Sequence, residues 1–390
     1  MNVTYRIDKD ILYIALAGRI DATNANDAEE KMFAIRGENP GKHTVIDAEN
    51  LEYVSSAGLR IILKIRKEEP GLAIINVAPE VYEVFDMTGF TDMVTVEKAY
   101  RRMSTEGCEF IAKGANGAVY RYDEETILKI YFAKDSLPEI KQERENARRA
   151  FVLGINTAIP YGIVRVGDGY GTVTELLNAI SVTKLVRQNP DNLAPAVKYY
   201  VDMLKGIHAI EVEDGLVPDM KETALDWAGF VSDYIPEEEG KKLISLIDAV
   251  PKQNTLLHGD YHTNNIMVQN GEPLLIDMDT LCMGHPVFEL GSMFNAFIGY
   301  AELDHKETEE FFGYTYETAG RFWNMVLKSY LGTEDEALCL NVAEKAMIIG
   351  YTRMLRRAAR RPDEEDSPKK IERCKQMLSY LLNKIDSIAF

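Results

Sequence analysis

One stretch near the middle of the C-terminal half limits this chain more than any other. Residues 256–268 read LLHGDYHTNNIMV, and residues 274–277 read LLID. Asn270-Gly271 lies between the two apolar runs, which is a strong signal for a two-residue hairpin turn. If that turn closes, Gln269 faces Glu272, Asn265 comes opposite Ile276, and Asp277 faces Asn264. Asn265 and Asp277 then meet at the open end of the hairpin, beside the loop that carries Asp260. Two carboxylates and an amide gathered in this way form a set of hard oxygen donors suited to Mg²⁺. Pro273 implies that its strand is short or has a free edge there.

The spacing is H-x-D-x-x-x-x-N followed by a later Asp, a pattern tied to phosphoryl transfer. In that chemistry the loop Asp, here Asp260, orients or deprotonates an acceptor hydroxyl. Asn265 and Asp277 would hold Mg²⁺ against the phosphates of ATP. The residues upstream can supply the remaining parts. Gly114, Asn116 and Gly117 lie in a turn (residues 113–120, KGANGAVY) that could cover phosphates. Lys129 stands in an apolar strand after that turn, placed to contact the α- and β-phosphates. Glu143 on the following charged helix can pair with Lys129, with Glu139 and Glu145 as rivals. The segment from Glu175 to Leu177 would join two lobes and offer backbone groups to adenine. Asp279 could share the metal, but Asp277 directly follows the apolar strand and fits better.

Residues 105–390 resemble the aminoglycoside phosphotransferase and choline kinase family. The resemblance is carried by residues 114–119, Lys129, Glu143, Gly154, Pro160, the run from His258 to Asn265, and Ile276-Asp277. It implies a bilobal, protein-kinase-like α+β fold and ATP- and Mg²⁺-dependent phosphorylation of a small-molecule hydroxyl. It also implies Asp260 as catalytic base, Asn265 and Asp277 as metal ligands, and Lys129 as the phosphate contact. One departure is Glu289, where many members carry Asp; a structural role is expected for it. The expected lobes are residues 103–178, β-rich, and 179–390, helical.

The first hundred residues alternate strand and helix patterns, as in an α/β sheet covered by helices. A short strand is expected to end at Asp47, followed by a loop, with a helix beginning at Ser55-Ser56. A serine there can cap free backbone N–H groups. Phosphorylated, it would instead place negative charge at the positive end of the helix, which could switch a docked partner without unfolding the domain. Residues 53–60, YVSSAGLR, and the strand ending at Asp47 resemble the STAS domain of bacterial anti-sigma-factor antagonists. The resemblance implies a mixed sheet covered by helices over residues 1–102, a protein partner of the anti-sigma kind, and Ser56 as phosphoacceptor. Ser55 stands where many members carry Asp.

Charge and composition narrow the remaining classes. Sixty-two acidic residues against 44 basic ones give a net charge of -18. That disfavours nucleic acid and anionic membranes as partners. No apolar run approaches the length of a membrane span, the first residues lack a signal-peptide layout, and the 4 cysteines show no CxxC pair. A cytoplasmic location is therefore expected. His258 and His262 fall in a loop, so His258 is expected to brace that loop and not to bind zinc. Arg353, Arg356, Arg357, Arg360 and Arg361 read as a solvated helix face balancing the acidic residues after Pro362, with contact to an anionic substrate or partner as the alternative. Two other roles compete with small-molecule phosphorylation: a nucleotide-binding regulator acting mainly as an anti-sigma-factor antagonist, and a kinase acting on a STAS-domain serine.

Overall fold

The computed structural model describes residues 1–390 except 115, 134, 135 and 159. The chain divides into two compact units, Met1–Ser104 and Thr105–Phe390.

The first unit begins with β1 (Asn2–Asp8) and β2 (Ile11–Ile20), an antiparallel hairpin. Lys9 adopts a left-handed conformation at its turn. Next come α1 (Ala25–Glu38), β3 (His43–Val54), α2 (Ser56–Glu68), β4 (Ala73–Val77), α3 (Pro79–Met87) and β5 (Thr95–Lys98). The sheet order is β1-β2-β3-β4-β5, and every pairing after the first is parallel, so the sheet is mixed. Its core joins Leu12, Ile14, Ile46 and Ile74 of the strands to Met32, Ile62, Ile65 and Phe85 of the helices. At these positions the strands alternate and the helices repeat at three to four residues, as their two periods require.

The strand expected to stop at Asp47 continues to Val54. Register shifts beside Ala15–Ala17 and Gly18–Arg19 let β2 and β3 stay paired across the polar run after Asp47. Such bulges leave little trace in sequence. A last short strand, β6 (Arg101–Met103), ends the unit.

In the second unit β7 (Glu109–Lys113), β8 (Gly117–Arg121) and β9 (Thr126–Tyr131) form an antiparallel meander. Helix α4 (Leu137–Val152) follows, then β10 (Pro160–Val166) and β11 (Gly169–Glu175). Strand β11 pairs with β9, so Lys129 lies on a central strand of this sheet. The helical part starts after β12 (Ile180–Ser181) with α5 (Val182–Gln188), α6 (Ala194–His208), α7 (Met220–Val231) and α8 (Glu237–Asp248).

Four short strands interrupt the helices. β13 (Leu256–Leu257) pairs with β16 (Cys282–Met283), and β14 (Ile266–Gln269) pairs with β15 (Glu272–Leu275). The chain then continues through α9 (Pro286–Phe297), α10 (Lys306–Phe312), α11 (Tyr316–Leu331), α12 (Glu336–Ala359) and α13 (Ser367–Lys384). Helix α9 is the hub: apolar on nearly every side, it packs against α7, α11 and α12. Among the described residues no helix is long and apolar enough to cross a membrane.

Candidate active site

The hairpin β14–β15 closes in the register that Asn270-Gly271 dictates. Gln269 faces Glu272, Ile266 faces Leu275, and the Ile276 N–H donates to the Asn265 carbonyl at 3.0 Å. Asn270 and Gly271 both take positive φ, as a type I′ turn needs. Pro273 lies on the edge strand of the sheet β12-β14-β15. The ladder ends beyond Asn265–Ile276, because Asp277 turns into the left-handed region, φ 66°, and opens a short 3₁₀ turn. Such a conformation is uncommon for a residue other than glycine, and it marks a site where surrounding structure overrides local preference.

That turn carries Asp277 to Lys129. The Lys129 Nζ donates to Glu143 Oε1 at 2.7 Å and to Asp277 Oδ1 at 3.3 Å. Tyr131 adds a hydroxyl, donating to Glu143 Oε2 at 2.7 Å. Burial alone would lower the Lys129 pKa, but the facing carboxylates of Asp277 and Glu143 outweigh it and hold the ammonium well above its usual value. Of the three candidate glutamates, Glu143 reaches the lysine, whereas Glu145 pairs with Arg149 one turn along α4. Asn146, also on α4, donates to the Asp279 carbonyl at 3.3 Å and ties the helix to the 3₁₀ turn. The Asp279 carboxyl is pushed up to about 7 by the desolvation of this crowded corner, then by Asp277 and Glu143.

Asp260 sits in the loop after β13. Its side chain is 42% exposed, so it can be reached from solvent. Desolvation works to raise its pKa, but His262, with Nε2 3.5 Å from Oδ2, and the charge of Arg353 bring the carboxyl down to about 2. Asn265 is buried and donates Nδ2 to the Asp260 carbonyl at 3.0 Å, so one amide joins loop and hairpin.

His258 braces the loop as the sequence suggested. Its Nε2 lies 3.2 Å from the Ile276 carbonyl, and the Asp260 N–H donates to its Nδ1 at 3.3 Å. In this pair Nε2 is the donor and Nδ1 the acceptor. Thr280 donates to the His258 carbonyl at 2.7 Å. The structural role expected of Glu289 is also visible: buried on α9, it accepts the N–H groups of His258 at 2.6 Å and Gly259 at 3.0 Å.

The remaining expected residues lie at other places on the same unit. The Gly114 N–H donates to the Gly117 carbonyl at 2.9 Å, and the Asn116 carbonyl accepts from the Phe132 N–H at 3.0 Å. Ala115, within the same turn, lies outside the described residues. A Cβ on Gly117 would meet the Ile130 carbonyl oxygen at 2.2 Å, so that position admits only glycine. Glu175 ends β11 opposite Thr126, and Leu177 follows it where the Leu176 N–H donates to Glu125. No described hydrogen bond links Glu175 or Leu177 to the Lys129 cluster. Ser56, on the first unit, is exposed at the first turn of α2. Ser55 occupies the N-cap position, yet its Oγ is buried and has no hydrogen-bond partner among the described residues. The capping bond offered by the sequence is therefore not formed.

The arginine reading holds for part of the cluster and needs correction at Arg353 and Arg356. Arg361 does pair with Glu364, an acidic residue after Pro362. Arg356 instead reaches Asp226, Arg357 lies over Tyr300 and Arg360 over Phe230. Arg353 turns inward and donates to the Gly259 carbonyl at 3.2 Å and to Ser292 Oγ at 2.8 Å. Arg357, Arg360 and Arg361 are exposed, as a solvated face requires, whereas Arg353 and Arg356 are partly buried and anchor the helix to its neighbours. The roles of Ser292 and Arg353 at the Gly259 carbonyl had no recognisable signal, because that partner is distant in sequence; Tyr131 stood two residues beyond Lys129 on the same strand and was not read.

Residues 107–322 match the phosphotransferase enzyme family, and residues 2–120 match the STAS domain. A Bordetella bronchiseptica protein named as an anti-sigma factor antagonist, BtrV, is 31% identical over 100 residues, which cover 25% of this chain and 85% of that protein. Among solved structures, the aminoglycoside phosphotransferase APH(2'')-Ib with ADP aligns at 15% identity and a TM-score of 0.48. That alignment covers 77% of this chain and 98% of the other. A choline/ethanolamine kinase family protein of Mesorhizobium loti aligns at 13% identity and a TM-score of 0.48, covering 72% and 92%. The chain belongs to the phosphotransferase enzyme family and carries a STAS domain ahead of its kinase-like unit.

Proposed function

We propose that the second unit transfers the γ-phosphoryl group of ATP to the hydroxyl of a small molecule, with Mg²⁺. The observation that carries this reading is the three-way contact of Lys129, Glu143 and Asp277 next to the loop of Asp260 and Asn265. Lys129 is held charged and aimed by two carboxylates, as a group that must meet phosphate oxygens requires. Asp260 is ionised, partly exposed and tethered through its own backbone, so it can accept a hydrogen bond from an acceptor hydroxyl. Asn265 and Asp277 offer the amide and carboxylate oxygens that suit Mg²⁺, which would neutralise phosphate charge when bound. The turn holding Gly114, Asn116 and Gly117 would cover the phosphates, and the backbone from Glu175 to Leu177 would take adenine.

The first unit, in this reading, regulates or recruits: Ser56 is exposed where a kinase could reach it, and its partner would be an anti-sigma-like protein. The expected setting is the cytoplasm, without nucleic acid or membrane as partners. The main alternative keeps the nucleotide site but gives it a regulatory role, or directs it to a STAS-domain serine. Mass detection of products after incubating the full chain with MgATP and a panel of amino alcohols, sugars and aminoglycosides separates these. A phosphorylated small molecule supports the enzyme reading. A mass gain of one phosphate on the protein alone supports the serine reading, and MgATP binding without turnover supports the regulator.

A further inference from the structure

The peptide that precedes Asp260 is gripped at both ends by groups of opposite charge. On one side Glu289 accepts the N–H groups of His258 and Gly259. On the other side the Gly259 carbonyl accepts hydrogen bonds from Ser292 Oγ at 3.0 Å and Arg353 Nη1 at 3.2 Å. The same Arg353 nitrogen donates to Ser292 Oγ at 2.8 Å, and the guanidinium lies over the Trp227 ring, 5.6 Å from its centroid. Trp227, Glu289, Ser292 and Arg353 share the wall of a small pocket of about 10 Å³, roughly enough for one water. The loop has no slack here: Gly259 has φ +81°, and a Cβ on it would meet the Thr280 carbonyl oxygen at 2.4 Å.

We propose that Arg353 is a positioning residue for the transfer reaction: by fixing the Gly259 carbonyl it sets the direction in which Asp260 enters the cleft. This rests on the reading of Asp260 as the group that receives the acceptor hydroxyl. Arg353 comes from α12, 94 residues beyond Gly259, and makes no contact with the Lys129 cluster among the described hydrogen bonds. A guanidinium suits the task because its planar fork can hold a carbonyl and a hydroxyl together while its face rests on an aromatic ring. An ammonium would keep the charge but not that geometry. Arg353 makes no described hydrogen bond to the nucleotide-side residues, so the effect of replacing it should fall on kcat and not on nucleotide binding. A small error in the placement of a reacting group can cost about a hundredfold in rate.

The test uses the full chain as wild type, Arg353→Lys, Arg353→Met and Ser292→Ala, with Asp260→Asn as control. Amide hydrogen exchange of peptides spanning residues 257–265 is read beside MgATP consumption, with water or an added hydroxyl compound as acceptor. Arg353→Met should speed exchange in that segment roughly tenfold, with peptides of β9 and α4 unchanged. Its kcat should fall about ten- to a hundredfold with KM for MgATP within twofold, and Arg353→Lys should recover part of both effects. Ser292→Ala, which keeps the guanidinium, should give a smaller change of the same kind. Unchanged exchange in the loop with Arg353→Met overturns the proposal, and so does a fall in melting temperature with exchange raised everywhere. If Asp260→Asn turns over like wild type, the reading of Asp260 fails instead, and exchange alone still decides whether Arg353 holds the loop.

Discussion

The Lys129 ammonium lies 3.3 Å from the Asp277 carboxylate, a contact between groups 148 residues apart. It joins a central strand of the β-rich part to the end of the hairpin that follows the Asp260 loop. Glu143 completes the contact from α4. Three elements that share no local sequence thus meet at one point.

Replacing Lys129 by methionine leaves Glu143 and Asp277 facing each other without the cation between them. The variant should fold, since the side chain is only partly buried, but phosphate recognition should fail. Turnover should drop roughly a hundredfold or more. Calorimetric titration with MgADP should show weakened binding, and wild-type affinity would contradict the assigned contact.

Gly117 and Gly114 differ in what a methyl group would meet. At Gly117 the added carbon lands on the Ile130 carbonyl, while at Gly114 its nearest neighbour is 3.9 Å away. Gly117→Ala should therefore force β8 from β9 and destabilise the unit by about 1–3 kcal/mol. Gly114→Ala should melt near wild type. Thermal unfolding of the two variants side by side checks the difference, and equal melting temperatures would refute it.

Glu289→Ala strips the acceptor from two buried N–H groups. Each such bond to a charged group contributes roughly 1.5–3 kcal/mol, so the loss should exceed about 3 kcal/mol. Glu289→Gln keeps one carbonyl oxygen and should fall between the two. Urea unfolding gives the order directly, and an alanine variant as stable as the glutamine one would contradict it.

Asp279 makes stability depend on pH. Its folded pKa is raised to about 7 from 3.8, by burial first and then by Asp277 and Glu143. Between those values the native state binds more protons than the unfolded chain, so stability falls as pH rises from about 4 to about 7. Asp279→Asn removes that penalty. In EDTA the variant should melt above wild type at pH 8, and the gap should close near pH 4. A gap of equal size at both pH values would exclude this origin.

At the start of α2 the two serines should respond differently. Ser55 Oγ has no hydrogen-bond partner among the described residues, so Ser55→Ala should avoid the loss of about 1 kcal/mol usual for an N-cap. Ser56 is exposed, and Ser56→Glu should be tolerated or slightly stabilising beside the helix N-terminus. Melting of the full chain measures both. A loss of an ordinary N-cap's size with Ser55→Ala would contradict the buried, unbonded hydroxyl.

What could be read in the sequence was local. Asn270-Gly271 set the hairpin register, and that register put Asn265 opposite Ile276 without knowledge of any other element. Lys129 and Glu143 were recognisable as a pair only through the order of a glycine turn, a strand and a charged helix. The length of β3 was misjudged because bulges beside Gly18 absorb its polar stretch, and no residue pattern marks where a ladder slips. Arg353 was misread for a different reason. On so long a helix the direction of each arginine is set by what packs against it, here α7 and α9, and charge patterning alone cannot supply that.

The most direct measurement compares wild type with Asp260→Asn in MgATP turnover on the acceptor panel, together with MgATP affinity for each. The phosphotransferase reading predicts a kcat lower by about a hundredfold or more in the variant, with affinity changed only a few-fold. Equal turnover by both proteins, or MgATP binding without turnover of any acceptor by the wild type, would contradict it.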